Sequence, residues 1–274
     1  MGLTVTERLT YSTVRIECEN EKGISTGTGF FFKFFDDGKT HIPVVVTNKH
    51  VIEGAMNGRL TFTRSSADNT PLDTQHFPIT LGNFESLWRK HPDANVDLCA
   101  MPIAPYLNEA NSRGQKLYYD PLDKSIIPTK DQLTELDALE EIIMIGYPNG
   151  IWDSKNNKPI FRKGITATHP VFDYNGKKEI LIDAACFPGS SGSPVLILNQ
   201  GGYKDKKGTF IVGQVRIFLL GVLYAGPQYT TQGEIKVVDI PTTNQSVSLL
   251  RIPINLGVII KSERIIELEK LFDN

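Results

Sequence analysis

Short runs of β-branched and aromatic residues, each stopped by Gly, Asn, Asp or Pro, recur along nearly the whole chain and exclude most folds at once. "STVRIE" (12–17) alternates apolar and polar residues, "TGFFFKFF" (28–35) is aromatic, and "HIPVVVTN" (41–48) is β-branched. Further runs follow: "RLTFTR", "DLCAMPI", "EIIMIGYP", "KGITATHP", "EILIDAA", "SPVLIL", "TFIVGQVRIFLLGVLYAG" and "IKVVDI". Helical spacing is confined to "TKDQLTELDALEE" (129–141) and "SERIIELEKLF" (262–272), the second with Ser262 at its N-cap position. No fixed-period repeat and no low-complexity linker divides the 274 residues. So many strands ending in one helix predict an all-β unit of two packed β-barrels.

Composition narrows what such a unit does. A net charge of −2 supplies no field for nucleic acid or an anionic membrane, so neither is expected as a partner. The short Lys groups at 176–178 and 204–207 read as solvated turns. No segment approaches the roughly 20 apolar residues of a spanning helix, and the first residues lack a signal-peptide pattern. "MGLTVT" fits only the loose myristoylation pattern, with no second membrane signal beside it. Three dispersed cysteines, Cys18, Cys99 and Cys186, without a CxxC pair, suggest reduced thiols and a cytoplasmic location. Nothing in the chain sets an oligomeric state.

The stretch "IDAACFPGSSGSPV" (182–195) carries chemistry. A nucleophilic serine needs its Oγ on a tight exposed turn, with backbone N–H groups converging where an oxyanion develops. Gly189-Ser190-Ser191-Gly192 offers both, and Pro188 and Pro194 stiffen the flanks. A plain Ser/Gly loop between two strands reads equally well from this stretch alone.

The serine also needs a base and an orienting carboxylate. His50 follows the β-branched run 44–47 directly, which puts it at a barrel rim, whereas His41, His76, His91 and His169 lie in strand openings or loops. Asp97 stands at the mouth of the apolar run "LCAMPI", where an unpaired acid would be penalised. Asp93, four residues earlier in polar sequence, reads as a turn residue.

The order His50, Asp97, Ser191 resembles a chymotrypsin-fold serine peptidase, and its surroundings resemble the HtrA/Deg branch of the trypsin-like peptidases. "TGTGFFF", "VVVTNKHVIEGA", "VDLCAMPI", "IMIGYPNG", "IDAACFPGSSGSPV" and "INLGVII" each resemble a segment of that branch, over roughly residues 12–272. The resemblance implies two six-stranded antiparallel β-barrels, the first at about 10–105 and the second at about 141–260. A linker or insertion at about 106–140 joins them, and a C-terminal α-helix follows at about 262–272. No PDZ-like domain is expected. It also implies Ser191 as nucleophile, His50 as base, Asp97 as its orienter, and Gly189 and Ser191 N–H as the oxyanion donors. Ser190 replaces the Asp with which the digestive enzymes bind a freshly cut N-terminus, so activation of that kind is not implied. Insertions near 104–140 and 226–250 carry no assigned role.

The resulting expectation is a serine endopeptidase acting on protein or peptide substrates, with no metal or organic cofactor. Its specificity pocket is expected at Ala185, Val222 and Tyr224: neutral, and suited to small or medium aliphatic side chains. Glu234 and Asp239, in the second insertion, are acids that would alter this. The alternative is a catalytically silent binding module on the same fold. A cysteine peptidase using Cys186 or Cys99 fits poorly, since both read as small core hydrophobes.

Overall fold

The computed structural model describes residues 2–226, 228–235, 246–253 and 255–273. The first strands are β1 (Thr13–Asn20), β2 (Gly23–Phe34), β3 (Ile42–Thr47), β4 (Asn57–Ser65) and β5 (Pro71–Gly82), with β6 (Arg89–Lys90), β7 (Cys99–Pro102) and β8 (Leu117–Tyr118) after them. They form one sheet in the order β5-β4-β1-β2-β3-β7-β6, and β8 pairs with β4. Then come β9 (Glu141–Gly146), β10 (Ile160–Thr166), β11 (Glu179–Asp183), β12 (Pro194–Asn199), β13 (Gly202–Lys204) and β14 (Phe210–Val212). The series ends with β15 (Arg216–Ala225), β16 (Gln228–Ile235), β17 (Ser246–Pro253) and β18 (Leu256–Lys261). Six of these close a barrel in the order β10-β11-β18-β15-β12-β9, while β13–β14 and β16–β17 are separate hairpins.

The second half is therefore the expected six-stranded barrel, and the first half differs from it. Its sheet has eight strands and stays open between β5 and β6. The chain between them turns through a 3-10 helix at Phe84–Leu87, and β6 is two residues long. Little backbone is left to pair with β5. Side chains fill that seam instead: Phe84 is fully buried, stacks edge-on against Trp88 at 5.6 Å, and lies under Gly58.

Alternation along β2 and β3 explains the unbroken apolar runs. Phe30, Phe32, Phe34, Val44 and Val46 face one core, whereas Phe31 and Val45 face another. The second of these lies within the curled sheet. The first is shared with the outer face of the barrel, through Leu196, Leu219 and Val222. Val195, Ile197 and Leu220 fill the barrel's own interior. Strands buried on both faces read as continuous hydrophobic stretches.

Five helices occur among the described residues: α1 (Val5–Leu9), α2 (Lys49–Ile52), α3 (Ala104–Ser112), α4 (Lys130–Thr134) and α5 (Glu263–Glu269). The helix expected over 129–141 is only α4, opened by a capping box of Thr129 and Gln132. It ends at Thr134, and Glu140 beyond it is held in a buried ion pair with Arg216 at 2.5 Å while its N–H donates to Thr166 Oγ1. Near the C-terminal end, α5 continues as a 3-10 turn to Phe272, and Ser262 precedes it without a side-chain cap. The region expected as a linker supplies α3, and β8 of the first sheet. Of the expected run 235–240, residues 236–240 lie outside the described residues.

Because Phe84 is wholly buried in the sheet's own core, Phe84→Ala should lower unfolding stability by roughly 3–5 kcal/mol. A denaturant midpoint within error of the parent would show that this core does not depend on that ring.

Candidate active site

Strand β3 ends at Thr47, and one turn of helix, α2, presents His50 at its edge. The helix lies close on β2, since a Cβ on Gly27 would sit 2.4 Å from Val51 Cγ1. That is what the small residue in "TGTG" permits. Asn48, fully buried, donates from Nδ2 to the Asp97 carbonyl at 2.7 Å, tying the end of β3 to the chain entering β7.

Both oxygens of Asp97 are engaged by His50. The His50 backbone N–H donates to Oδ1 at 3.1 Å, and Nδ1 lies 2.5 Å from Oδ2. An Nδ1–H donor leaves Nε2 as the acceptor on the other edge of the ring. Burial pushes the Asp97 carboxyl up, but the bonds from the His50 ring and backbone outweigh it, and the net direction is down. Asp97 is thus held as an anion against a histidine that remains partly exposed. Asp93 lies apart, its Oδ2 accepting from Arg264 at 2.9 Å.

The turn at 188–192 is fastened to the first sheet by one residue. Thr28 N–H donates to the Ser191 carbonyl at 2.9 Å, and Thr28 Oγ1 donates to the Gly189 carbonyl at 2.9 Å. The same Oγ1 accepts from Tyr147 N–H at 3.1 Å. Thr47, three residues before His50, donates from Oγ1 to the Thr28 carbonyl at 2.7 Å. The chains bearing His50 and Ser191 therefore meet at Thr28. Gly189 and Gly192 take φ of +84° and +87°, and a Cβ on Gly192 would lie 1.9 Å from the Thr28 carbonyl oxygen. Only glycine fits there.

Backbone donors around the turn divide into two groups. Ser190, Gly192 and Ser193 N–H are bonded to Phe187, Leu223 and Ser190 carbonyls. Among the described residues, Gly189 and Ser191 N–H have no acceptor, although Gly189 is only partly exposed. Two free donors on one tight turn suit an incoming oxyanion. No hydrogen bond joins Ser191 Oγ to His50 among the described residues, as is common before substrate tightens such contacts.

The pocket residues expected from sequence separate. Ala185 is half-buried and borders an open hollow with Asp183 and Lys163. Val222 is wholly buried in the core shared by sheet and barrel, so it lines no accessible pocket. Tyr224 packs against that core and donates its hydroxyl to buried Glu179 at 2.9 Å, which removes it as a free pocket wall. Cys186, next to Ala185, packs as the small hydrophobe read from sequence: a Cβ on Gly257 would lie 2.6 Å from its sulfur. Burial pushes this thiol up to about 11, as it also raises Cys18 and Cys99, and all three are free. Sequence reasoning missed Thr28, Thr47 and Asn48. Their hydroxyl and amide types between apolar strand residues were the available signal.

Residues 27–202 match the family model described as the trypsin-like peptidase domain. No curated protein is significantly similar in sequence. Among solved structures, the chain is similar to the active form of the Rv3671c protease of M. tuberculosis, at 15% identity and TM-score 0.44, covering 93% of this chain and 78% of that one. It is also similar to a serine endoprotease of Yersinia pestis, at 13% and 0.47, covering 100% and 68%. Tobacco etch virus protease aligns at 12% and 0.48, covering 100% and 82%. No helix among the described residues is long and apolar enough to cross a membrane.

Replacing Thr28 with Val keeps its shape but strands the Gly189 carbonyl and Tyr147 N–H, each at about 1–3 kcal/mol. Thr28→Val should therefore unfold at clearly lower denaturant, and Thr28→Ser should recover most of the loss. Equal midpoints for Val and Thr would remove Thr28 from its fastening role.

Proposed function

Because the chain belongs to the trypsin-like peptidase family and is a serine endopeptidase, we propose that it cleaves through His50, Asp97 and Ser191. The observation that carries this reading is the double contact of Asp97 with His50, backbone N–H and ring together, on a strand end bonded through Thr28 to the Ser191 turn. Ser191 Oγ attacks the peptide carbonyl while His50 Nε2 takes its proton. The carboxylate of Asp97 fixes the ring's tautomer and stabilises the imidazolium that forms. The tetrahedral oxyanion is received by Gly189 and Ser191 N–H. His50 then returns the proton to the leaving amine, and water attacks the acyl-enzyme by the same route in reverse.

Ser191→Ala, His50→Ala and Asp97→Asn should each remove nearly all hydrolysis, and the double variants should lose little beyond the worst single one. Labelling of Ser191 by a fluorophosphonate probe, absent in Ser191→Ala, separates an enzyme from a silent binding module. Retained activity in Asp97→Asn, with complete loss in Asp93→Asn, would move the carboxylate role to Asp93.

The side chain before the cleaved bond is read from what lies six positions ahead of Ser191. Ala185 brings no carboxylate to pair with a substrate Arg or Lys, and the adjacent Cys186 thiol is neutral and small. This supports small or medium aliphatic side chains, each fitted methylene contributing roughly 1–3 kcal/mol to selection. Glu234 and Asp239 lie where side chains are outside the described residues. A peptide-library cleavage profile checks the pocket: enrichment of Val, Ala, Ile or Leu is expected, and dominant cleavage after Arg or Lys would refute the aliphatic preference.

A further inference from the structure

Asp93 does not touch His50, yet every polar group it owns is used. Its N–H donates to His91 Nδ1 at 3.1 Å. Its carbonyl accepts from Lys49 Nζ at 2.9 Å and from Val96 N–H at 3.1 Å. Of its carboxylate oxygens, Oδ1 accepts from Asn95 N–H and Oδ2 from Arg264, both at 2.9 Å. These bonds shape the turn that delivers Asp97 to the His50 ring four residues later.

One of these contacts, and a second from His91, reach α5, far along the chain. Arg264 bridges the Asp93 carboxylate and its own helix neighbour Glu267, at 3.1 Å. Glu267 uses its other oxygen for His91 Nε2, also at 3.1 Å. With Nδ1 accepting from Asp93, His91 must donate from Nε2, so its tautomer is set by this ring of contacts. The His91 side chain is 1% exposed and the Arg264 side chain 13%, so water offers neither an easy substitute. A fully exposed pair would contribute little; a half-buried bridge with two acceptors holds geometry better.

We propose that Arg264 and His91 are positioning residues for catalysis: α5, through them, clamps the turn Asp93–Asp97 so that the Asp97 carboxylate meets His50 at the observed distance. This rests on the triad reading above. Displacement of a catalytic group by about 1 Å is enough to lower turnover by up to a hundredfold. None of these residues lies on the turn bearing Ser191 or beside Ala185, so substrate binding should be spared.

The test compares purified full-length Arg264→Ala, Arg264→Lys and His91→Ala with the parent, using a cleaved peptide from the library. Glu263→Gln serves as the control, since Glu263 bonds Lys178 from the same helix without reaching the turn. Expected for Arg264→Ala is a fall in kcat of roughly ten- to a hundredfold with KM within about twofold. Arg264→Lys should restore part of it, and Glu263→Gln should match the parent. The second readout is the downfield proton resonance of the His50 Nδ1–H···Asp97 bond, which should broaden or shift upfield in Arg264→Ala and His91→Ala. A lost helix contact that only lowers stability would leave that signal and kcat of the folded protein unchanged, and this result overturns the proposal. If Arg264→Ala does not fold, His91→Ala and Glu267→Gln carry the same comparison. Full activity in Asp97→Asn would instead remove the triad reading, and the clamp with it.

Discussion

The arrangement depends on a threonine that performs no chemistry. Thr28 bonds the Ser191 and Gly189 carbonyls, the Tyr147 N–H and the Thr47 hydroxyl. Three segments from both halves of the molecule are thus registered on one residue of β2. A hydrogen bond contributes modestly to stability, but several on one buried group fix relative position because none can be moved without stranding another. The serine turn is formed by the barrel and the histidine by the sheet, so such a common reference is what gives them a defined separation. The glycines beside it follow from the same closeness, since a side chain at 192 would occupy the space of the Thr28 carbonyl.

Around that reference the apolar residues divide among three cores, one within the sheet, one within the barrel and one between them. The third contains residues of β2, β3, β12, β15 and α5 together. Interiors at this density do not yield to small displacements, so the relative placement of sheet and barrel is a packing result as much as a hydrogen-bonding one.

Much of this was legible in sequence, because strand alternation and the residue order His50, Asp97, Ser191 are local signals. The closed barrel followed from runs such as "EIIMIG" and "SPVLIL". What was not legible depended on partners distant in the chain. The open seam arises from a two-residue β6 and a 3-10 turn, and the mixed sequence "NFESLWRK" (83–90) gives no warning of either. The far end of the segment expected as a helix at 129–141 is instead tied by Glu140 to Arg216, dozens of residues away. Val222 and Tyr224 were assigned to a pocket by their place in an apolar strand, but burial and the Glu179 carboxylate decide where such residues point. His91, in loop sequence beside a proline, gave no sign of its burial, which becomes apparent only when α5 packs over it.

The bonds from Arg264 and Glu267 to the Asp93 turn also order events during synthesis. A ribosome adds on the order of 5–20 residues per second, so the passage from Asp97 to Arg264 takes on the order of ten to thirty seconds. Throughout that interval the nascent chain carries His50 and Asp97, and then Ser191, without the helix whose side chains bond the aspartate turn. Until α5 has been made, the bonds from Arg264 and Glu267 to this turn are missing from a chain that already bears all three residues.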